Sequence, residues 1–277
     1  MSPQRERAER FRKLHFGPPI LVLPNAWDAA SARIFEEEGF PAIATTSAGV
    51  ANALGYPDGE RVPFAEMLDA IARICRSVRV PVTADIEAGF ATSPEAVAEN
   101  CRAVLAAGAV GVNLEDSIEE HSLVESDVQA EKVRAARGAA AAFGVPLVIN
   151  ARTDAFLADV GAPPTRLPET IRRCKTYRAA GADSFFVPAV TDAPTIEALV
   201  RGIDGPVNVL AGPGTPPVAE LERLGVARLS TGSAPMRSAL AHVRRIATEL
   251  RSRGTYRLLT EDTISYAEAN RLFEPRP

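Results

Sequence analysis

Asp85 and Glu87 stand two residues apart at the end of an apolar run, Val80-Pro81-Val82-Thr83-Ala84, that reads as a buried β-strand. Alternate residues of a strand share a face, so this spacing predicts both carboxylates pointing the same way. Two like charges side by side at a strand end are unfavourable unless something neutralises them, and a hard cation such as Mg²⁺ can do so. A second acidic strand end follows at Val112-Asn113-Leu114-Glu115-Asp116. A third, Ile149-Asn150-Ala151-Arg152-Thr153-Asp154, adds an arginine. Acids and an arginine at the C-terminal ends of successive strands suit an active site at one end of a barrel.

The elements that would hold these residues recur along the chain. A unit of helix, glycine and short apolar strand appears at Gly39-Phe40-Pro41-Ala42-Ile43-Ala44, Gly108-Ala109-Val110-Gly111-Val112, Gly181-Ala182-Asp183-Ser184-Phe185 and Gly225-Val226-Ala227-Arg228-Leu229. A second version leads with proline, as in Val80-Pro81-Val82, Val145-Pro146-Leu147 and Gly205-Pro206-Val207. Glycine at a helix C-cap followed by a proline-led strand is a natural junction between helix and strand. The pattern predicts eight strands, at 21–26, 42–47, 80–87, 110–116, 146–153, 184–189, 207–211 and 228–232. Amphipathic helices are expected at 28–38, 64–77, 94–107, 127–143, 168–180, 193–202, 217–224 and 233–253. Strict alternation of this kind favours an α/β fold, a (β/α)₈ TIM barrel, over an open sheet. The whole chain, 1–277, reads as one barrel domain with 255–277 as a C-terminal tail. The barrel does not need that extension, which is free to pack on a neighbouring subunit. Long connections at 48–63, 116–127 and 155–167 would lie on the C-terminal side, where substrate contacts sit.

Composition removes several alternatives. A net charge of −4 with no basic block argues against a nucleic-acid partner. No apolar run approaches the length of a membrane span, and the charged N-terminal segment has no signal-peptide core. Cys75, Cys101 and Cys174 are far apart and read as reduced buried thiols of a cytoplasmic protein. Lysine occurs only at Lys13, Lys132 and Lys175, none at a predicted strand end, which argues against Schiff-base chemistry.

Six segments carry a resemblance. Pro24-Asn25-Ala26-Trp27-Asp28, Thr46-Ser47-Ala48-Gly49, Leu54-Gly55-Tyr56-Pro57-Asp58, Asp85-Ile86-Glu87-Ala88-Gly89, Leu114-Glu115-Asp116 and Asn150-Ala151-Arg152-Thr153-Asp154-Ala155 occur in order along nearly the whole chain. Together they resemble the isocitrate lyase/phosphoenolpyruvate mutase superfamily, on its carboxyphosphonoenolpyruvate phosphonomutase-like branch. The resemblance implies a Mg²⁺ site, with Mn²⁺ as a substitute. Asp85 would bind the metal most directly, and Asp58, Glu87 and Glu115 would hold its water ligands. The backbone around Thr46, Ser47 and Ala48 would bind a substrate carboxylate, with Arg152 at the opposite anionic end. Trp27 would line the pocket or pack beneath it. The family's eighth helix often swaps between subunits, so a homo-oligomer, dimer or tetramer, is expected.

The chemistry agrees with these assignments. Mg²⁺ keeps several waters and suits carboxylates set back from the ion. As a Lewis acid on a 2-oxo acid it stabilises the enolate left by C–C or C–P cleavage. The lyases of the superfamily carry Lys-x-Cys-Gly-His in the loop after strand four. Here that stretch is Asp116-Ser117-Ile118-Glu119-Glu120-His121-Ser122-Leu123, without Cys or Lys. Phosphonate-handling members place a Lys and Asn-Ser there and a His after strand six, where this chain has Phe186-Val187-Pro188-Ala189. His121, with Glu119 and Glu120, is therefore the loop candidate for acid/base work beside Arg152, Asp58 and Glu115. Asp154 reads as a partner of Arg152, and Asp116 as a cap of the following segment. The expected function is Mg²⁺-dependent lysis of a C–C bond, by retro-aldol cleavage or decarboxylation, in a small 2-oxo or 2-hydroxy di- or tricarboxylic acid. The alternatives are C–P chemistry on a phosphonopyruvate-like acid, and a phosphate-binding barrel without lyase activity. The last would use Gly212-Pro213-Gly214-Thr215 and Ser230-Thr231-Gly232-Ser233 after strands seven and eight.

Overall fold

A computed structural model describes residues 2–119, 122–261 and 263–274. Its strands in chain order are β1 (Leu21–Leu23), β2 (Asn25–Ala26), β3 (Ile43–Thr45), β4 (Val82–Asp85), β5 (Gly111–Glu115), β6 (Ser117–Glu119), β7 (Ser122–Leu123), β8 (Val148–Arg152), β9 (Ser184–Phe186), β10 (Val207–Leu210) and β11 (Arg228–Ser230). The helices are α1 (Pro3–Lys13), α2 (Ala29–Glu37), α3 (Ser47–Leu54), α4 (Phe64–Ser77), α5 (Pro94–Ala106), α6 (Ser126–Phe143), α7 (Pro163–Ala179), α8 (Ala193–Gly202), α9 (Val218–Arg223), α10 (Ala234–Arg253) and α11 (Tyr266–Arg271).

Nine of the strands pair in parallel in the order β1-β11-β10-β9-β8-β5-β4-β3-β2. The two ends of that order, β1 and β2, are halves of the one run predicted at 21–26, interrupted at Pro24. Proline has no N–H for the ladder. Its carbonyl still accepts from Ala44 N at 2.9 Å. The first half pairs with β11 and the second with β3, so one run closes the sheet on itself as the predicted barrel. Strands buried on both faces need apolar residues outward against the helices, as Val112, Leu114 and Ile149 are.

The barrel interior is more polar than its outside. Thr83, Asn113, Asn150, Ser184, Asn208, Arg228 and Ser230 are all buried there. They satisfy one another in part: Asn150 Nδ2 donates to Asn113 Oδ1 at 2.8 Å and Ser184 Oγ to Asn150 Oδ1 at 2.7 Å. Below them α1, capped by Ser2, sends buried Phe11 to the barrel floor, its ring 2.9 Å from where a Cβ on Gly111 would lie. A helix at that place had not been expected from the sequence.

Three further elements depart from expectation. The connection predicted at 48–63 begins with the helix α3, capped by Thr46 and ended by Gly55 in the left-handed region at φ 90°. Helix α7 starts at Pro163 and accommodates Pro168 within its length. The connection after β5 contains the short antiparallel pair of β6 and β7. The C-terminal tail returns to its own chain: buried Leu272 offers its carbonyl to Arg33 Nε of α2, and Arg33 Nη1 donates to Ser77 O at 3.0 Å. Among the described residues no helix is long and apolar enough to cross a membrane.

Candidate active site

Strand register brings the sequence-predicted residues together at the C-terminal end of the barrel. Asp85, Asn113, Asn150 and Ser184 form one row of neighbours across β4, β5, β8 and β9. One step further along, Glu115, Arg152 and Phe186 form a second row. Partners in register present their side chains on the same face. Glu115 and Arg152 therefore lie nearer the mouth, above a row in which Asp85 stands beside the amides of Asn113 and Asn150 and the hydroxyl of Ser184.

Asp85 is held from both sides. Its Oδ2 accepts from Ser47 N at 3.0 Å and from Ser47 Oγ at 2.9 Å, and its Oδ1 accepts from Asn113 Nδ2 at 3.3 Å. Ser47 is the first residue of α3, so the carboxylate sits at the N-terminus of a helix, where an anion is favoured. The Asn113 amide is oriented by its other contacts. Its Oδ1 receives Asn150 and, at 3.5 Å, Arg228 Nη2, which leaves the NH₂ group facing Asp85.

Glu87 reaches the site by another route than strand alternation. Strand β4 ends at Asp85, and Glu87 is left-handed at φ 51° in the turn that follows. Its Oε2 accepts from Glu60 N at 2.7 Å. Burial first, then the charges of Asp58, Asp85 and Glu60, push its carboxyl up to about 8. Asp58 stands at the exposed rim of the same group. Crowding by the surrounding protein and the charge of Asp85 raise its carboxyl above the ordinary range. Glu115 is buried and raised well above it, by burial first, while Arg152 pulls the other way.

Arg152 is tied to two carboxylates. Its Nε and Nη2 donate to Asp154 at 2.6 and 2.7 Å in a two-pronged pair, and its Nη1 lies 2.7 Å from Glu115 Oε2. The Glu115 contact is an ion pair without hydrogen-bond alignment, because that oxygen has no hydrogen-bond partner. The guanidinium lies over the Phe186 ring, 5.6 Å from its centre. Burial opposes its charge, but Glu115 and Asp154 outweigh burial and hold the arginine more firmly charged than usual. Asp154 is thus the arginine's partner, as the sequence suggested. Asp116, expected as a cap, instead anchors α7: Oδ2 accepts from Tyr177 Oη at 2.6 Å and Arg173 Nη1 at 3.1 Å, and Oδ1 from Asp154 N at 3.0 Å.

The remaining candidates are placed as follows. Thr46 caps α3, with Ser47 and Ala48 in its first turn. Trp27 packs against that turn: a Cβ on Gly49 would come within 2.9 Å of Trp27 Cβ. Trp27 also lines a cavity of about 370 Å³ with Val50, Leu54, Glu66, Asp69 and Arg73, whose lining includes none of Asp58, Asp85, Glu87 and Glu115. His121 lies outside the described residues, as does Glu120. The Ser230–Ser233 segment is already committed, since Asn25 Oδ1 accepts from Thr231 N at 2.9 Å and Gly232 N at 3.0 Å. Those amides are not free for a phosphate, and Thr215 N closes its own turn onto Gly212 O at 3.1 Å.

Sequence reasoning missed Asn113, Arg228, Glu60 and Lys132. Arg228 had a visible signal, a charged residue inside the run Val226-Ala227-Arg228-Leu229. It is fully buried, donates to Ser230 Oγ at 3.1 Å and is lowered to about 9 by burial, against the pull of Asp85. Glu60 and Lys132 had none, because their contacts run to the turn after Asp85 through tertiary packing alone.

The donor set is one that a hard cation fits. Four carboxylates raise or crowd one another here, and oxygen is the donor such an ion takes. Among the described residues no three acidic, histidine or cysteine side chains close up into a direct cage. That spacing suits an ion that keeps waters between itself and most of the acids.

Comparisons with known proteins agree with this architecture. A solved structure from Burkholderia cenocepacia J2315, described only provisionally as a lyase/mutase, superposes with a TM-score of 0.91 at 39% identity, covering 99% of this chain and 97% of that one. An uncharacterized protein of Mycobacterium tuberculosis (strain ATCC 25618 / H37Rv) is 38% identical over 242 residues, 86% of this chain and 89% of its own. A 2-methylisocitrate lyase of Bacillus subtilis (strain 168) is 32% identical over 197 residues, 68% of this chain and 62% of its own. The profile of the phosphoenolpyruvate phosphomutase family matches residues 11–251. With the barrel, its acidic mouth and that match in hand, the chain belongs to the phosphoenolpyruvate phosphomutase family and is an enzyme of the isocitrate lyase/phosphoenolpyruvate mutase superfamily.

Proposed function

We propose that this protein is a Mg²⁺-dependent lyase that breaks a C–C bond, by retro-aldol cleavage or decarboxylation, in a small 2-oxo or 2-hydroxy di- or tricarboxylic acid. The observation that carries this reading is the convergence of Asp58, Asp85, Glu87 and Glu115 on one barrel end beside Arg152. Asp85 would hold the ion directly, with the other three acids on its waters, and Mn²⁺ would substitute. The bound ion would supply Lewis-acid stabilisation of the enolate that cleavage leaves.

The chain's own residues account for the rest. Ser47 fixes Asp85 through both its N–H and its hydroxyl. With Ser47 N donating to Asp85, it is the Ala48 N–H of the first turn of α3, with the positive end of the helix, that would meet a substrate carboxylate. Thr46 satisfies Gly49 N at 3.4 Å, which keeps that turn in place. Arg152 supplies the cation for the opposite anionic end, held in orientation by Asp154 and Phe186. Decarboxylation asks little more, since CO₂ departs without a proton donor. Retro-aldol cleavage needs a base for the substrate hydroxyl, and His121 on the connection after β5 is our candidate. The Bacillus subtilis relative is a 2-methylisocitrate lyase by name, which supports a lyase reaction on a small carboxylic acid for this scaffold.

The test is an NMR turnover screen of oxaloacetate, 2-methylisocitrate, 2,3-dimethylmalate and phosphonopyruvate, with Mg²⁺ and with EDTA. We expect Mg²⁺-dependent cleavage of one of the three carboxylic acids and no turnover in EDTA. Turnover of phosphonopyruvate alone would replace this reading with C–P chemistry. Equal turnover in EDTA would remove the metal from it.

A further inference from the structure

The turn at 86–91 is conformationally costly. Glu87 and Phe90 are both left-handed without being glycine, at φ 51° and 52°, and Gly89 between them is at φ 102°. Such a run persists only where its surroundings over-determine it. Glycine 89 has no slack either: a Cβ there would come within 2.9 Å of Val97 and 3.2 Å of Leu114.

Two charged residues outside the strand ends hold this turn. Glu60 does so in both directions. Its main-chain N–H donates to the Glu87 carboxylate at 2.7 Å, and its own Oε1 accepts from Phe90 N at 2.6 Å. Glu60 is itself left-handed, at φ 55°, two residues after Asp58. It therefore ties the segment carrying one acid to the turn carrying another. From the opposite side, Lys132 of α6 donates to Ala88 O at 3.2 Å and Ala91 O at 3.1 Å. Only 4% of Lys132 is exposed, so its ammonium has given up most of its water for those carbonyls and for the facing charge of Glu60. Asn100 adds a neutral contact, donating to Gly89 O at 2.8 Å.

We propose that Glu60 and Lys132 are positioning residues of the acidic site, which together clamp the turn bearing Glu87 and fix its carboxylate relative to Asp58 and Asp85. This rests on the reading of that site as a metal centre. Neither residue touches the ion or the substrate. Each acts through the geometry of Glu87, as partners behind metal ligands generally do.

The test measures Mn²⁺ binding by electron paramagnetic resonance on the full chain, for wild type, Glu60→Ala, Glu60→Gln, Lys132→Met and Lys132→Arg. Hydrogen exchange of the peptide spanning 86–91 is followed in metal-free protein. Losses of about tenfold or more in Mn²⁺ affinity are expected for Glu60→Ala and Lys132→Met. Faster exchange should be confined to that peptide, and Lys132→Arg, which can still reach both carbonyls, should recover most of the affinity. The double variant Glu60→Ala/Lys132→Met should lose little more than the worse single one, because both act on one turn. If Glu60→Ala does not fold, Glu60→Gln carries the test, with a smaller loss because its amide oxygen still accepts from Phe90 N. Variants that bind Mn²⁺ as wild type does would overturn the clamp while leaving the metal site standing. A wild type that does not bind Mn²⁺ would overturn the proposed function and the positioning role with it. Slow exchange retained at 86–91 in the folded variants would likewise overturn the clamp.

Discussion

Glu87 shows how a single side chain can carry a functional signal. Its carboxyl is shifted from 4.5 to about 8 by burial first, and then by the charges of Asp58, Asp85 and Glu60. The sign of the consequence follows. The folded, metal-free protein prefers the proton that the unfolded chain releases near 4.5, so this group's stabilisation is complete below that pH. It is lost as pH rises through about 8, at a rate of at most about 1.4 kcal/mol per pH unit. Urea midpoints measured in EDTA should fall across that window, and Glu87→Gln should flatten the fall; parallel slopes for the two proteins would refute the assignment. Metal affinity should rise over the same window, because binding displaces that proton. Asp85→Ala is the companion test. It removes the proposed direct ligand and also relieves repulsion on Asp58 and Glu87. Mg²⁺-dependent turnover should disappear while circular dichroism reports an intact fold, and full turnover in that variant would refute Asp85 as the ligand.

Helix α3 connects packing to the site at the scale of an element. Its first turn supplies two of the donors to Asp85, and its height above the barrel is set by Gly49 against Trp27 and Thr46. A methyl at Gly49 would lie 2.5 Å from Thr46 Cγ2 and 2.9 Å from Trp27 Cβ, so Gly49→Ala must displace the turn that carries Ser47. Overpacking of this kind costs about 1–3 kcal/mol. We expect a lowered thermal midpoint together with a raised Mg²⁺ half-saturation; a change in midpoint alone would mean that α3 does not set the site. The thiols give the opposite case. Cys101 in α5 and Cys174 in α7 are fully buried among apolar side chains, and burial pushes the Cys101 thiol up to about 12. Such groups are inert packing. Cys101→Ser and Cys174→Ser should each lose about 1–3 kcal/mol of stability through a poorly paired buried hydroxyl. Turnover of the folded protein should stay within about twofold of wild type, and an inactive folded variant would contradict a purely structural role.

For the molecule as a whole, helix α10 leaves large apolar side chains exposed at helical spacing. Leu240, Val243 and Leu250 of α10 are 52%, 58% and 45% exposed, and Tyr256, Leu259 and Ile264 in the segment after that helix are exposed as well. A stable soluble chain seldom leaves such a patch bare. We expect a dimer or tetramer in sedimentation velocity, and dissociation on Leu240→Lys/Val243→Lys; a monomeric wild type would refute the expected assembly. The sequence by itself determined the alternation of strands and helices, and with it which end of the barrel gathers Asp85, Glu115 and Arg152. Acids and Arg152 recur at strand ends with a spacing that burial on both faces allows only there. It also pointed to the pairing of Arg152 with Asp154, opposite charges two residues apart at the end of β8. It did not determine how Glu87 joins Asp85. Alternation predicted a shared strand face, whereas the left-handed turn held by Glu60 and Lys132 brings Glu87 there. Nor did it reveal that α3 begins at Ser47, that Asn25 occupies the amides of a loop resembling a phosphate cradle, or that Arg228 lies beneath Asn113. Local periodicity fixes which face of an element is apolar. Only closure of the sheet, with β1 and β2 pairing to opposite neighbours, decides which polar groups from distant segments meet inside it.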